Sequence, residues 1–215
     1  AARRDPKIVV GFSDVTAINL ALLRRANLVT FSGAMPGVDF WDPALDPLTE
    51  SSFWNSVTSV RTPGRSHPAH KISVTPASPG RARGPIVPAN LTLLCSLLGT
   101  KFLPALNGAI LVIEEIGEEP YRVDRMLSQL LNAGVLRNVA GIVLGAFTGT
   151  EPKRVSVDSL PLEEVFNHFL QIAGKPAVSG LPYGHIRSKL TLPVGIMTEI
   201  DGGRGTIRLL ESGVA

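Results

Sequence analysis

Apolar residues along the chain alternate between short continuous runs and longer stretches with helical spacing. Residues 7–12, KIVVGF, form a short β-branched run that is typical of a buried strand. Residues 14–26 follow with apolar side chains three or four positions apart, at Val15, Ile18, Leu22 and Leu23. This order predicts a strand, a tight turn and a helix. A second apolar run at 28–33 predicts another short strand.

A capped helix is predicted after this pair. Asp46 precedes Pro47 and the segment LTESSFWNSVTS, which is the pattern of an N-cap, a proline at the first helical position and a short amphipathic helix. Residues 60–89 are rich in proline, glycine, serine and arginine and have little periodicity. We therefore predict an interdomain linker there.

Regular patterns return at Asn90, which should cap a helix that ends at Gly99. Beyond it, strands and helices alternate: the strands are predicted at 108–115 and 139–147, the helices at 121–134 and 160–174, and two or three further strands at 190–210. Alternation of this kind predicts an α/β fold with a β-rich tail.

The domain organisation predicted from these patterns has three parts. Residues 1–59 would be the remnant of an N-terminal α/β domain, 60–89 the linker, and 90–215 a C-terminal α/β domain with the β-rich tail. The chain opens almost directly on the strand at 7–12, and a buried strand needs neighbours on both edges. We therefore expect most of the N-terminal domain to lie upstream of Ala1.

Composition narrows the classes of function. The 215 residues are 44% hydrophobic, which is enough for a sizeable core, and 21 Lys and Arg against 18 Asp and Glu give a net charge of +3. The basic residues are scattered, so nucleic acid is not expected as a partner. No apolar run approaches the roughly 18 residues of a membrane span, and no signal peptide is visible, so we expect a soluble, cytoplasmic protein.

Cys95 is the only cysteine of the sequence and lies in an apolar stretch, so we expect its side chain to be buried as a small hydrophobic residue.

Ser13 stands at the corner between the first strand and the first helix. A serine on such a turn projects its hydroxyl beside helix N–H groups that can stabilise an oxyanion, as in a nucleophile elbow. Val15 departs from the G-x-S-x-G pattern of α/β-hydrolases. The alternative interpretation is a helix N-cap, with Asp14 complementing the helix dipole.

Two further residues have the chemistry of a serine hydrolase. Glu114 ends the predicted strand at 108–115, where α/β folds place functional groups, although it could instead be an acid of the next helix turn. His185 lies in a Gly- and Pro-framed loop, whereas a surface histidine is the alternative. The other histidines are His67 and His70 in the linker and His168 in a helix.

Most of the chain resembles the LD-carboxypeptidase family of serine peptidases, which includes the microcin C self-immunity proteins. The resemblance is carried, in the family's order, by GFSDVTA, LVTFSGAMPG, DPLTESSFW, RGPIVPANLTLLCSLLGT, LVIEEIGEEPYRVDRMLSQL, VAGIVLGAF and GHIRSKLTLPVG.

The resemblance implies a Ser-Glu-His triad of Ser13, Glu114 and His185, with the backbone N–H of Asp14 donating to the oxyanion. It implies an acyl-enzyme mechanism without metal or cofactor, and cleavage of the terminal D-alanine from cytoplasmic murein tetrapeptides in cell-wall recycling. The residues that bind the substrate stay unassigned, and a homodimer stays open.

Two other interpretations remain. One is a serine hydrolase that cleaves a peptidyl-nucleotide of the microcin C type. The other is an inactive fragment that keeps the fold without hydrolysis. We expect residues 1–215 alone to cleave murein tetrapeptide poorly or not at all.

Overall fold

The structure is a computed structural model that describes residues 2–41, 44–60, 74–151 and 160–214. The helices are α1 (Thr16–Ala26), α2 (Pro36–Asp39), α3 (Pro47–Thr58), α4 (Leu91–Ser96), α5 (Pro120–Asn132), α6 (Val135–Asn138) and α7 (Leu162–Ala173). The strands are β1 (Val10–Gly11), β2 (Thr30–Ser32), β3 (Thr75–Ser78), β4 (Arg81–Asn90), β5 (Ile110–Ile116), β6 (Gly141–Thr148), β7 (Ala177–Ser179), β8 (Leu192–Val194), β9 (Met197–Asp201) and β10 (Thr206–Leu209).

Two sheets organise the described residues. The larger has seven strands in the order β10-β9-β4-β5-β6-β7-β3, and its four central strands, β4 to β7, run parallel. Strands β9, β10 and β3 are antiparallel to their neighbours. The smaller sheet has the order β1-β2-β8, so a strand from the end of the chain pairs with one from its beginning. The α/β prediction with a β-rich tail is confirmed.

The central strand β5 explains why its sequence is a continuous apolar run. Leu111 and Ile113 join a hydrophobic cluster on one face of the sheet, whereas Ile110 and Val112 join a second cluster on the other face. Successive side chains of a strand point to opposite faces, so a strand covered on both sides has no polar alternation.

The helices α5 and α7 cover one of these faces. Their apolar stripes, spaced three or four residues apart, enter the first cluster with Val123, Leu127 and Leu130 from α5 and Val165 and Phe169 from α7. Two N-caps were predicted correctly: Asp46 caps α3 by accepting the Thr49 N–H, and Asn90 caps α4 by accepting the Leu93 N–H. The helix α4 ends at Ser96, before the Gly99 that was predicted to end it.

The predicted linker at 60–89 was wrong for its second half. Residues 75–78 form β3 and residues 81–90 form β4, which lies between β5 and β9 in the large sheet. The prolines of β4 suggested an irregular segment, but each proline removes only one backbone N–H donor from the sheet. Between these prolines, the Ile86 N–H donates to the Ile196 carbonyl, and the Ile86 carbonyl accepts the Gly195 N–H. Residues 61–73 lie outside the described residues, and the division into domains stays a prediction.

The strand predicted at 7–12 is shorter in the structure. β1 spans Val10–Gly11 and pairs in parallel with β2.

Cys95 is buried as predicted, and burial raises the pKa of its thiol to about 12. Within the described ranges, every helix is too short or too polar to cross a membrane.

Candidate active site

The corner between β1 and α1 presents Ser13. Phe12 is extended, Ser13 has a φ of 58°, and a single 3-10 turn, Ser13–Val15, leads into α1. A positive φ is strained for a residue with a Cβ and is found where the surrounding structure enforces it. Phe12 and Val15 occupy the cap positions of the turn and of α1, so Ser13 is not the N-cap that the alternative interpretation required.

The structure brings the three predicted triad residues together. Oγ of Ser13 lies 3.1 Å from Nε2 of His185, although 172 positions separate them in the chain. Nδ1 of the same imidazole lies 2.8 Å from Oε2 of Glu114. Both distances are within hydrogen-bond reach, so one imidazole connects a hydroxyl and a carboxylate.

Glu114 reaches this position because it lies at the carboxyl end of β5, in register with Asn90 of β4. Its side chain is fully buried, while that of His185 is 21% exposed. Burial raises the pKa of Glu114, and the hydrogen bond and the charge of His185 act in the opposite direction. A carboxylate beside Nδ1 can accept the ring N–H and so orient an imidazole that acts as a general base at Nε2.

The other residues singled out from the sequence lie outside this contact. Asp14 follows Ser13 in the 3-10 turn, at the start of the helical segment, and its side chain is exposed. His168 is exposed on α7 and contacts Phe169, while His67 and His70 lie outside the described residues. Among the residues that the structure describes, no group of three or more His, Cys, Asp or Glu is arranged to hold a metal ion.

Comparison with known proteins decides the family. The model of the LD-carboxypeptidase C-terminal domain matches residues 83–200, and the model of the LD-carboxypeptidase N-terminal domain matches residues 1–33. The chain belongs to the LD-carboxypeptidase family.

Individual relatives agree with this assignment. The chain is 35% identical over 213 residues to a probable murein peptide carboxypeptidase of Bacillus subtilis, covering 99% of this chain and 65% of the relative. It is 26% identical over 238 residues to the microcin C7 self-immunity protein MccF of Escherichia coli, covering 96% of this chain and 66% of that protein. The crystal structure of muramoyltetrapeptide carboxypeptidase from Oxalobacter formigenes superposes with a TM-score of 0.82 at 33% identity, covering 96% of this chain and 68% of that one. The chain thus spans slightly less than two thirds of the length of the first curated relative.

Two aromatic residues of this LD-carboxypeptidase chain pack beside the predicted triad and were missed in the sequence. The ring centroid of Phe12 lies 4.7 Å from that of the His185 imidazole. The same ring packs edge-on against the buried ring of Tyr183, with 5.6 Å between the centroids. The hydroxyl of Tyr183 shares a 2.8 Å hydrogen bond with Ser32 inside the core. No pattern in the sequence links these residues, because the contact joins the turn that carries Ser13 to a loop far along the chain.

Glu115 is a second buried acid next to the triad. Its carboxylate accepts hydrogen bonds from the Asn90 amide at 3.0 Å and from the N–H and hydroxyl of Thr92 at 2.8 and 2.7 Å. The pairing of β5 with β6 shifts register between Ile113 and Glu115, which breaks the regular alternation at this point. Glu115 therefore fixes the start of α4 beside Glu114.

Proposed function

We propose that Ser13, His185 and Glu114 are the catalytic triad of an LD-carboxypeptidase that removes the terminal D-alanine from murein tetrapeptides. The observation that carries this proposal is the continuous contact from the Ser13 hydroxyl through the His185 imidazole to the Glu114 carboxylate. The family assignment and the murein peptide carboxypeptidase named among the relatives support the substrate class.

In the first half of the reaction, Nε2 of His185 accepts the Ser13 proton while Oγ attacks the carbonyl carbon of the scissile bond. The carbonyl oxygen becomes an oxyanion, and the Asp14 N–H is our candidate donor to it. Glu114 holds the imidazolium by accepting its Nδ1–H. The imidazolium then protonates the departing amine, D-alanine leaves, and an ester to Ser13 remains.

In the second half, a water molecule replaces the departed amine. His185 accepts a proton from this water, the resulting hydroxide attacks the ester carbonyl, and the second oxyanion collapses to release the shortened peptide. The proton returns from the imidazolium to Ser13 Oγ. Nδ1 of His185 stays bonded to Glu114 in both halves, while Nε2 takes its proton first from Ser13 and then from water.

The cellular setting follows from this substrate class. We propose that the protein acts in the cytoplasm on murein peptides during cell-wall recycling, with neither nucleic acid nor membrane as a partner. Fractionation of cells that express a tagged copy would test the location, and sedimentation of the purified protein would decide whether it forms a homodimer.

The decisive experiment offers two substrates together. Purified protein is incubated with murein tetrapeptide and a peptidyl-adenylate analogue, and the products are followed by mass spectrometry. Release of D-alanine that Ser13→Ala abolishes supports the proposal. Loss of the peptidyl-adenylate alone would favour the microcin C type of hydrolase, to which the likeness to MccF points. If neither compound is consumed and a fluorophosphonate does not label Ser13, the chain is not a serine hydrolase.

A further inference from the structure

The segment that carries His185 has no regular secondary structure between Gly184 and Thr191. Within the segment, the Ile186 N–H bonds to the Gly184 carbonyl, and the Leu190 N–H bonds to the Pro182 carbonyl just before it. An irregular loop needs partners from other elements to hold a side chain in one position. These partners come from α3, which precedes the segment by more than a hundred residues.

Thr49 on α3 makes two hydrogen bonds to this loop. Its hydroxyl donates to the carbonyl oxygen of Arg187 at 2.7 Å and accepts the N–H of Lys189 at 2.9 Å. The side chain of Thr49 is buried, with 1% of the residue exposed. One hydroxyl therefore pairs with both a backbone acceptor and a backbone donor within four residues of His185. Because Thr49 is buried, water does not compete for these hydrogen bonds.

The N-cap of the same helix makes a third contact. Oδ1 of Asp46 accepts the Thr49 N–H at 3.0 Å, which caps α3, and the Ser188 hydroxyl at 3.0 Å. Although partial burial acts to raise the pKa of Asp46, the hydrogen bonds from Thr49 and Ser188 lower it. The carboxylate that begins the helix is thus also bound to the loop.

A fourth contact continues along the helix. The hydroxyl oxygen of Ser52 accepts the Thr191 N–H at 2.9 Å. Asp46, Thr49 and Ser52 are spaced three apart, so they lie on one face of α3. This polar face follows the loop backbone from Arg187 to Thr191 and fixes it relative to a helix, which is a rigid element.

We infer that Thr49 is a positioning residue for His185: its hydroxyl fixes the loop backbone so that the imidazole lies between Ser13 and Glu114. This inference rests on the proposed function for its catalytic meaning, but the position of the imidazole can be measured independently. It differs from a packing role, because Thr49→Val keeps the shape of the side chain and removes both hydrogen bonds to the loop, together with a longer 3.3 Å contact to Asp46, whereas Thr49→Ser keeps the hydroxyl.

The test compares Thr49→Val and Thr49→Ser with the wild-type protein by two measurements. The first is the rate at which a fluorophosphonate phosphonylates Ser13 with loss of fluoride. The second is the proton NMR signal of the His185 Nδ1–H that bonds to Glu114. Since misplacement of a catalytic group by about 1 Å costs about a hundredfold, we expect Thr49→Val to label roughly ten- to a hundredfold more slowly. Its Nδ1–H signal should shift or broaden, and Thr49→Ser should restore both.

Thr58→Val is the matched control, because the exposed Thr58 hydroxyl donates to the Trp54 carbonyl within α3 itself. This variant should label at the wild-type rate. The inference is overturned if folded Thr49→Val labels as fast as wild type with an unchanged Nδ1–H signal. It is also overturned if Thr49→Ser is as slow as Thr49→Val, because the methyl group would then be the part that matters.

A second variant covers the case in which Thr49→Val does not fold. Ser188→Ala removes only the bond to Asp46 at a half-buried position, and we expect it to slow labelling about threefold to tenfold on the same argument. A wild-type labelling rate and Nδ1–H signal in folded Ser188→Ala would count against the inference. If the wild-type protein is not labelled, the proposed function fails, and the Nδ1–H signal alone then decides whether α3 positions His185.

Discussion

Val15 packs directly against the backbone of Gly11, across the turn that presents Ser13. A Cβ atom added at Gly11 would lie 2.1 Å from Cγ1 of Val15, which is far inside contact distance. The glycine two positions before the serine therefore allows the first turn of the helical segment to close onto β1. Val15 stands two positions after Ser13, where the G-x-S-x-G pattern has its second glycine. The missing side chain of Gly11 leaves the space that Val15 occupies.

Gly11→Ala should destabilise the protein and impair the site, because the new methyl group must displace Val15 and with it the turn that holds Ser13. Overpacking of this kind typically costs about 1–3 kcal/mol in the free energy of unfolding. Urea unfolding measures the loss. The double variant Gly11→Ala/Val15→Ala should recover only part of it, since the Val15 methyl groups are gone but its Cβ, 2.6 Å from the added one, remains.

Gly37→Ala is the matched control for this prediction. Gly37 lies in α2, and apart from its chain neighbours and the backbone of its own helix nothing lies within 4 Å of the position that its Cβ would take. It should leave the stability within about 0.5 kcal/mol of wild type, or raise it slightly through helix propensity. Equal effects of the two substitutions would show that the Val15 contact is not what requires Gly11.

Glu114→Gln should leave the triad assembled but nearly inactive. An amide can occupy the same space, but it cannot stabilise the imidazolium as a carboxylate does, and it can hold the ring in the wrong tautomer. The corresponding change in other serine hydrolases lowers turnover by about ten-thousandfold, and we expect a loss of about a thousand- to ten-thousandfold here. D-Alanine release measures this loss, and Glu163→Gln on the exposed start of α7 should have no effect.

The pKa of Glu114 predicts how activity depends on pH. Burial raises this pKa above the ordinary value of a carboxyl group, so protonation begins at a higher pH than usual. Protonated Glu114 cannot stabilise the imidazolium, and kcat/KM should therefore fall as the pH is lowered through that raised pKa. A profile from about pH 4 to about pH 9 would show it, and activity undiminished down to about pH 4 would contradict the prediction.

Local patterns in the sequence were sufficient to predict most helices and their caps. Asp46 and Asn90 cap the helices that follow them, as predicted, because an N-cap depends on residues within one turn. The extent of β1 and the strand nature of β4 could not be predicted in the same way. Both depend on which strands pair with them, and proline content alone misled the interpretation of residues 75–90.

The triad was predicted through the family resemblance rather than through local chemistry. Ser13, Glu114 and His185 each had an ordinary structural interpretation, and only the fold shows that they meet. The support from Thr49 and Phe12 was not predicted, because these side chains act on a loop more than a hundred residues away. Contacts of that kind depend on tertiary packing and leave no periodic signal in the sequence.

The buried pair of Tyr183 and Ser32 should stabilise the core as a unit. Tyr183→Phe leaves the Ser32 hydroxyl buried without its partner, and an unsatisfied buried hydroxyl costs about 1–3 kcal/mol. Thermal or urea unfolding should show that loss, and Tyr183→Phe/Ser32→Ala should be more stable than Tyr183→Phe alone. Independent, additive effects of the two substitutions would show that the hydroxyls do not interact.

The backbone strain at Ser13 predicts a conflict between stability and activity. With a φ of 58°, Ser13 is in the left-handed region, where a residue with a Cβ is disfavoured by about 1–2 kcal/mol relative to glycine. Ser13→Ala removes the hydroxyl but keeps the Cβ and therefore the strain. Ser13→Gly removes both.

Both variants should lose activity by about ten-thousandfold or more, because neither carries the hydroxyl that we propose as the nucleophile. Ser13→Gly should nevertheless be more stable than Ser13→Ala and unfold at a higher urea concentration. We expect its free energy of unfolding to be larger by about 1 kcal/mol, after subtraction of the greater freedom of glycine in the unfolded chain. If Ser13→Gly proves the less stable of the two, the turn holds no strain at this position. Higher stability in the glycine variant would mean that the fold maintains a disfavoured backbone conformation in order to present the Ser13 hydroxyl to His185.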